Sequence, residues 1–373
     1  MKLERGILES VVISSAGLLL MSIYIVRTVL PFLTVEMGGS EIDVSRILYI
    51  SFVVIALLSP LAGLISDRIG ASRLLVISSI AASLSILMYP LASNISELLA
   101  VRILHAVFAE LALAAGLSMA SRVTSSGRVG VGLLRTSQGL GIALGPMLAL
   151  IFMPLGYNAT LLVASILSLT PLPAFLYKEE GATGFALAES IRQFLDVVKS
   201  QKLQAVALLA ISETLGFSIL VTYFVSRMVS LGLTEGGYAA FLTIEAICFS
   251  LAGYPSERLF RRLGSMFTLI AGLGLGASFL ILALLPSPAT FVTMAPAIGV
   301  FGSFALNPAY IQVSDLARET AQGFIVNSLD LMVNLSFLVL PLLEPVFSSL
   351  SLSVLMLVPL VPLGVSILLM RVS

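Results

Sequence analysis

The chain is poor in charged residues and carries no net charge. Of its 373 residues, 11% are Asp, Glu, Lys or Arg, and 20 basic residues offset 20 acidic ones. Because soluble domains have about 25% charged residues, this composition argues against a soluble protein. The zero net charge also argues against nucleic acid as a partner, since that binding needs a surplus of basic side chains.

Cysteine and histidine are almost absent. Cys248 is the only cysteine, which excludes a disulfide framework and a thiolate metal cluster. His105 is the only histidine, and we expect it to make a structural hydrogen bond rather than bind a metal. We therefore expect no metal and no cofactor.

Motifs for catalysis and for ATP use are missing as well. The sequence has no HExxH, no clustered Asp for a diphosphate with magnesium, and no paired Ser and His, so we expect no enzyme. It has no GxxxxGK[ST] loop, which excludes ATP as an energy source within this chain. No filter loop or charged ring repeats as a channel would require.

Long apolar segments are what the sequence does contain. Hydrophobic residues make up 58% of the chain, and about 20 mostly apolar residues suffice for a helix to cross a bilayer. The sequence predicts an all-α integral membrane protein with twelve transmembrane helices, in contact with the lipid bilayer. The predicted spans are 8–32, 45–65, 73–92, 97–119, 129–152, 158–177, 204–228, 237–256, 265–286, 289–313, 321–346 and 350–371.

The basic residues predict the orientation. Positive side chains collect on the cytoplasmic side of a membrane protein, and this places both termini in the cytoplasm. The compact loops and tails favour the cell (cytoplasmic) membrane of a prokaryote. The first outer connection is mainly acidic, with Glu36, Glu41 and Asp43. The inner segments hold Lys2, Arg5, Arg68, Arg73, Arg122, Arg128, Lys178, Arg192, Lys199, Lys202, Arg258, Arg261, Arg262, Arg318 and Arg371.

An internal repeat predicts two halves. LAGLISDR at 61–68 and LAGYPSER at 251–258 agree at five of eight positions, each at the inner end of the second helix of its half. Such repeats are typical of secondary transporters, whose substrate site lies between the repeats near the bilayer midplane. We expect six-helix bundles at 1–177 and 203–373, joined by a cytoplasmic linker at 178–202 that contains an amphipathic helix at the inner membrane surface.

Three motifs resemble the major facilitator superfamily. GLISDRIGASR, from Gly63 to Arg73, resembles the signature loop between helices 2 and 3 of that family. RILHAVFAE places Arg102 where the family often has an embedded arginine, and GIALGP, from Gly141 to Pro146, resembles the G-x-x-x-G-P motif of its proton-coupled drug exporters. The resemblance covers nearly the whole chain in helix count, repeat and termini, and implies the major facilitator fold.

The resemblance implies a gating role for the signature loop. Asp67 and Arg68 would make charge contacts with helix termini of the opposite half and hold one conformation closed. The alternative is a solvated loop that only follows the positive-inside rule. The gating candidates are Gly63, Asp67, Arg68, Gly70, Arg73, Glu257 and Arg258.

The glycines and the proline of the fifth span predict a local packing site. Gly141 and Gly145 would let another helix approach closely, and Pro146 would bend the helix. General packing by small residues is the alternative to a specific role in antiport.

Ionisable and polar side chains inside the spans are the candidate substrate and coupling residues. A charge at the bilayer centre costs at least about 2.5–3.5 kcal/mol, so such residues usually face a partner or a wet cavity. Carboxyl groups there could carry protons, although pairs such as Glu110 with Arg135 or Arg102 could simply hold helices together. The candidates are Arg27, Arg102, Glu110, Arg135, Gln138, Glu213, Glu245, Asp330 and Asn327, with Tyr223 and Asn334 as further polar groups.

We therefore expect a monomeric secondary active transporter that moves a small organic solute by alternating access. Proton-coupled, multidrug-like efflux is favoured, because embedded acids with an apolar cavity suit amphipathic or cationic compounds. The alternative is a sugar or organic-solute permease, either a symporter or a uniporter. Embedded carboxylates serve protons and sodium alike, so the coupling ion stays open between the two.

Overall fold

The computed structural model describes residues 2–39, 41–126, 129–177, 187–220, 231–233, 235–317, 322–339, 346 and 349–372. Every regular element within these ranges is helical. The chain divides into two compact units, the first made of 1–190 with 318–328 and the second of 191–317 with 329–373. The domain boundaries expected from the sequence stay a prediction.

The first unit is built from six long helices and three short 3₁₀ segments. One core cluster joins these helices around buried residues such as Ile25, Leu30, Tyr89 and Leu98. The helices are α1 (Lys2–Glu36), α2 (Glu41–Ile69), α3 (Ala71–Leu87), α4 (Ile95–Ser125), α5 (Val131–Phe152) and α6 (Tyr157–Ser168), and the 3₁₀ segments are Tyr89–Leu91, Met153–Leu155 and Leu172–Leu176.

Local sequence signals explain where two of these helices begin. Asn94 caps α4, because its side chain accepts a hydrogen bond from the Glu97 amide at 3.0 Å while the Glu97 carboxylate accepts one from the Ser93 amide at 2.7 Å. Gly70 stands between α2 and α3 with φ of 93°. That angle suits glycine, so the chain can turn there within a single residue.

The second unit begins after the linker helix α7 (Leu187–Val198), which crosses the division between the units. Its core includes Phe241 and Phe291, whose rings stack with centroids 4.0 Å apart. Its helices are α8 (Gln201–Ile219), α9 (Glu235–Leu263), α10 (Ser265–Leu284), α11 (Pro288–Leu316), α13 (Leu352–Leu357) and α14 (Leu360–Val372). The helix α12 (Gln322–Val339) contributes its first residues to the first unit and its remainder to the second.

Nine helical stretches of the described chain are long and apolar enough to cross a membrane. The predicted spans at 45–65, 237–256 and 321–346 correspond to α2, α9 and α12, which are not among these nine. The helical, multi-spanning architecture predicted from the sequence is therefore confirmed. The count of twelve spans stays a prediction.

The predicted span over 350–371 corresponds to one of these nine stretches, Ser353–Met370, which contains a short turn. Two helices, α13 and α14, occupy this stretch, and a turn at Val358 and Pro359 separates them. Proline has no amide hydrogen, so Pro359 cannot donate a helical backbone hydrogen bond. The Pro359 carbonyl instead accepts a hydrogen bond from the Ser212 hydroxyl of α8 at 2.7 Å.

Glycines bring α1 and α5 into close contact. A Cβ atom at Gly145 would lie 2.7 Å from the Tyr24 Cβ, and one at Gly141 would lie 2.8 Å from the Met21 amide nitrogen. On the α1 side, a Cβ at Gly17 would lie 2.5 Å from the Ser137 Cβ. The close approach expected at the fifth span is therefore made to α1, and α5 remains one helix through Pro146.

We expect Gly145→Val to destabilise the protein, because the added side chain would collide with Tyr24 and the Met21 carbonyl. Overpacking of this kind lowers the free energy of unfolding by about 1–3 kcal/mol. The measurement is thermal and denaturant unfolding of purified protein in detergent. Gly364→Val in α14 is the control, since a Cβ at Gly364 meets no atom within 4 Å. Equal stability of the two variants would contradict the packing role of Gly145.

Candidate functional site

The Asp67 carboxylate caps the start of α12. Its two oxygens accept hydrogen bonds from the amides of Gly323 and Phe324 at 2.9 and 2.8 Å. Arg122 of α4 adds an ion pair at 3.0 Å, and the Asp67 side chain is 1% exposed. The first amides of a helix lack partners within the helix and carry partial positive charge, so a carboxylate there is stabilised twice. All four residues belong to the first unit.

Polar contacts from α2 and α4 extend along the same stretch of α12. The Gln322 side chain donates to the Ser121 hydroxyl at 3.1 Å, and the Asn327 amide donates to the Ser118 hydroxyl at 3.1 Å. The Ser59 hydroxyl of α2 donates to the Asn327 carbonyl at 3.2 Å. Asn327, a predicted cavity residue, is thus 1% exposed and holds α12 against α4.

Gly63 and Gly323 let these backbones touch. A Cβ at Gly323 would lie 2.6 Å from an Asp67 carboxylate oxygen and 2.8 Å from the Gly63 carbonyl oxygen, and a Cβ at Gly63 would collide with the Gly323 carbonyl. A side chain at either position would push α12 away from Asp67. Arg68 and Arg73, the other charges of the predicted gating loop, are exposed.

The second copy of the repeat is arranged differently. Glu257 is fully buried, and Arg261, one turn further along α9, lies 3.9 Å from its carboxylate. Arg261 also makes two hydrogen bonds to the Asp315 carboxylate of α11, at 3.1 and 3.2 Å. Arg258 is exposed and donates to the Tyr254 hydroxyl at 2.7 Å. These two ion pairs of Arg261 lie within the second unit.

Two acids of the second unit have neighbours that the sequence did not indicate. Asp330 accepts a hydrogen bond from the Tyr310 hydroxyl at 2.5 Å, and Asn334 donates to the Asp330 carbonyl at 2.9 Å. Glu213 is 7% exposed and packs on Gly302 of α11. Tyr310 is itself fully buried. An embedded acid usually needs a partner, so a partner for Asp330 was expected, but the sequence did not indicate that it would be Tyr310.

Glu245 of α9 differs from the other embedded acids. Its side chain is 6% exposed, and within the described parts of the chain it forms no hydrogen bond or ion pair. The α9 and α11 backbones come close at this level, because a Cβ at Gly299 would collide with the Glu245 carbonyl. Among the described residues, Glu245 is therefore a buried carboxyl group without a fixed partner.

The three arginines of the first unit that were predicted to line the cavity lie in different environments. Arg135 donates to Gln138 on the same helix at 2.8 Å. The Arg27 guanidinium lies over the Tyr24 ring, 5.2 Å from its centroid. Arg102 is 1% exposed and donates to the Ile47 carbonyl at 3.4 Å.

The second neighbour of Arg102 is the single histidine. An Arg102 N–H lies 3.3 Å from His105 Nδ1, and the Tyr89 hydroxyl lies 3.1 Å from the same nitrogen. The Tyr89 and His105 rings meet edge to face. His105 thus makes the structural hydrogen bond expected of it, and Arg102 contacts His105 rather than Glu110.

Several residues that contact the predicted site residues were not predicted from the sequence. Arg122 was counted only as an inner charge, and Glu9, which is 2% exposed and accepts from the Tyr177 hydroxyl at 3.0 Å, was not considered. The amides of Gly323 and Phe324 could not be found from side-chain chemistry at all. Tyr223 and residues 178–186 of the linker lie outside the described residues. In the described part of the chain, no cluster of His, Cys, Asp or Glu could hold a metal ion.

Comparison with known proteins agrees with this architecture. A family model of the Major Facilitator Superfamily matches residues 12–205, which is more than half of the 373-residue chain. No curated protein sequence matches the chain at a significant level.

Two solved structures are similar over their full length. The crystal structure of the human organic anion transporter MFSD10 (TETRAN) has a TM-score of 0.80 and 13% identity, covering 98% of this chain and 99% of that one. The crystal structure of the transporter FucP in the outward conformation has a TM-score of 0.76 and 15% identity, covering 98% of both chains. At these identities the similarity establishes the fold. With the family match, it identifies this chain as a member of the Major Facilitator Superfamily, a multi-pass membrane transporter for small-molecule substrates rather than an enzyme.

Proposed function

We propose that this transporter exports a small amphipathic organic solute in exchange for protons. It would work as a monomer in the cytoplasmic membrane with both termini inside, and its bundles at 1–177 and 203–373 would alternate access to a central site. The observation that carries the coupling is Glu245, a buried carboxyl group for which the described residues supply no hydrogen bond or ion pair.

The energetics of Glu245 favour a proton carrier. A charged carboxylate at this depth costs at least about 2.5–3.5 kcal/mol when nothing compensates it. The neutral acid avoids this penalty, and exposure to water or to a cation in another conformation would favour release of the proton. Asp330 is less suited to this role in the described conformation, because the Tyr310 hydroxyl already stabilises its carboxylate.

The Asp67 cap supports a gating role for the signature loop. One carboxylate holds both the α12 amides and Arg122, so its loss would release the start of α12 from α2 and α4 together. The glycine contact between Gly63 and Gly323 adds no bond of its own but permits the short distances. We propose that this cap forms in one conformation of the cycle and opens in the other.

We expect Asp67→Ala to lower the free energy of unfolding by about 1–3 kcal/mol, since the buried amides of Gly323 and Phe324 lose their acceptor. Unfolding of purified protein, with Arg122→Ala and the double variant, measures the coupling between the two side chains. Asp196→Ala is the control, because the Asp196 ion pair with Lys199 is exposed and contributes little. A wild-type melting temperature for Asp67→Ala would rule out the cap as a structural clamp.

We expect Glu245→Gln to reduce substrate-driven proton movement at least tenfold, because glutamine cannot carry the proton. The assay uses proteoliposomes with a trapped pH dye and a panel of lipophilic cations, lipophilic anions and sugars. Exchange of labelled for unlabelled solute across the membrane should persist, since it needs no net proton movement.

Asp196→Asn serves as the matched control in the same assay, because its carboxylate is exposed. Solute flux without proton movement, unchanged in Glu245→Gln, would refute the antiporter. It would leave a uniporter whose embedded acids are structural.

A further inference from the structure

One side of α9 is exposed from its middle to its end. Ile247, Leu251 and Tyr254 on this side are 41%, 69% and 38% exposed. Arg258 and Arg262 follow at intervals of four residues and are exposed as well. Intervals of three and four residues place side chains on the same face of a helix. Exposed aliphatic side chains of a spanning helix face lipid tails, so the two arginines continue a lipid-facing stripe towards the headgroup layer.

The opposite side of α9 packs on α11 within the second unit. Ser256 and Glu257 are fully buried there, and the Asn307 side chain of α11 donates a hydrogen bond to the Ser256 hydroxyl. Arg261 pairs with the carboxylates of Glu257 and Asp315 at 3.9 and 3.1 Å. The charge of Arg261 is therefore compensated by acids of the protein itself.

The two outward arginines have no such compensation among the described residues. Arg258 donates to the Tyr254 hydroxyl at 2.7 Å, and its guanidinium lies 4.8 Å from the centroid of the Tyr254 ring. Arg262 forms no hydrogen bond or ion pair within the described ranges. Like charges one turn apart on a helix repel each other, so the pair does not stabilise α9. Contacts inside the described protein therefore do not explain this pair.

The first copy of the repeat does not have the same arrangement. Arg68 occupies the position that matches Arg258 and is also exposed. The positions that match Tyr254 and Arg262 hold Leu64 and Ser72, which are 8% and 3% exposed. The tyrosine and the paired arginines thus belong to the second copy and do not follow from the repeat.

We propose that Arg258 and Arg262 bind the phosphodiester of an anionic phospholipid. Side chains at i and i+4 have Cβ atoms about 5–6 Å apart, so both guanidinium groups can reach the oxygens of one phosphate. A guanidinium donates paired hydrogen bonds to phosphate oxygens, and Tyr254 restricts the position of Arg258 before the lipid arrives. The acyl chains would lie along Leu251 and Ile247.

The continuity of the stripe favours a phospholipid over a soluble phosphate. The same face of α9 that carries the arginines presents only apolar or aromatic side chains at Ile247, Leu251 and Tyr254. A soluble phosphate would use the two charges alone, whereas a phospholipid uses the charges and the apolar surface together. The proposed orientation of the chain would place this lipid in the cytoplasmic leaflet. Binding itself requires neither proton coupling nor a solute.

The test compares two lipids that differ only in their headgroups. Dioleoylphosphatidylglycerol and dioleoylphosphatidylcholine are titrated into purified protein in detergent, and native mass spectrometry counts the bound molecules. We expect wild type to bind phosphatidylglycerol about tenfold more tightly, because its phosphate is not neutralised by choline. Arg258→Gln and Arg262→Gln should each weaken phosphatidylglycerol binding about fivefold and leave phosphatidylcholine binding unchanged.

The matched control removes two other exposed positive charges of the same unit. The double variant Arg192→Gln with Lys202→Gln should bind both lipids as wild type does, since these side chains are exposed but do not share a lipid-facing stripe with one another. The double variant Arg258→Gln with Arg262→Gln should lose the preference for phosphatidylglycerol. Its melting temperature in detergent without added lipid should equal or exceed that of wild type, because the repulsion between the two arginines is gone.

Four other outcomes would overturn the proposal. Equal loss of phosphatidylglycerol binding in the two double variants would show attraction by positive charge in general. Displacement of the lipid by millimolar glycerol 3-phosphate would show a site for soluble phosphates. Equal binding of both lipids by wild type would remove the role of the headgroup charge. A lower melting temperature of the Arg258 and Arg262 double variant with loss of both lipids would show that the arginines are structural.

Discussion

The structure depends on the lack of water around its spanning helices. In a bilayer an unsatisfied polar group costs several kcal/mol, so each buried charge or backbone group needs a partner inside the protein. Asp67 meets this need with one carboxylate, which accepts hydrogen bonds from the first amides of α12 and pairs with Arg122. Buried serine hydroxyls meet the same need by donating to backbone carbonyls. Ser22 donates to the Ala164 carbonyl, and Ser366 donates to the Ala205 carbonyl.

The same constraint explains the close glycine contacts. Lipid tails are as apolar as leucine, so burial from water does not drive helices together, and they associate through close packing and hydrogen bonds. Gly141 and Gly145 bring α5 into close contact with α1 in the first unit. The contact of Gly63 with Gly323 places the amides of α12 within reach of Asp67, so packing and electrostatics depend on each other there.

Against this background, two embedded charges stand apart. Glu245 in the second unit and Arg102 in the first have no partner of opposite charge among the residues described. A protein that needed these side chains only for stability would gain by replacing them with apolar ones. The chemistry of Glu245 suits proton transfer, because an acid can carry a proton between environments. The proposed coupling rests on this residue.

Much of the architecture could be predicted from the sequence, because it is locally encoded. Long apolar stretches predict helices, the repeat around Asp67 and Glu257 predicts two related halves, and the loop from Gly63 to Arg73 predicts the family. Hydropathy predicts the span over 350–371 but not its internal turn at Pro359, which divides it into α13 and α14.

The partners of the charged residues were decided only by the tertiary structure. Asp67 binds amides more than 250 positions away in the sequence, and a backbone N–H carries no side-chain signal. Tyr310 of α11 donates a hydrogen bond to Asp330 of α12, whereas Arg102 contacts His105 and, among the described residues, no acid. The sequence by itself determined which charges enter the membrane. Only the packing of helices decided which of them are neutralised, because compensation depends on distances of a few ångströms between segments far apart in the chain.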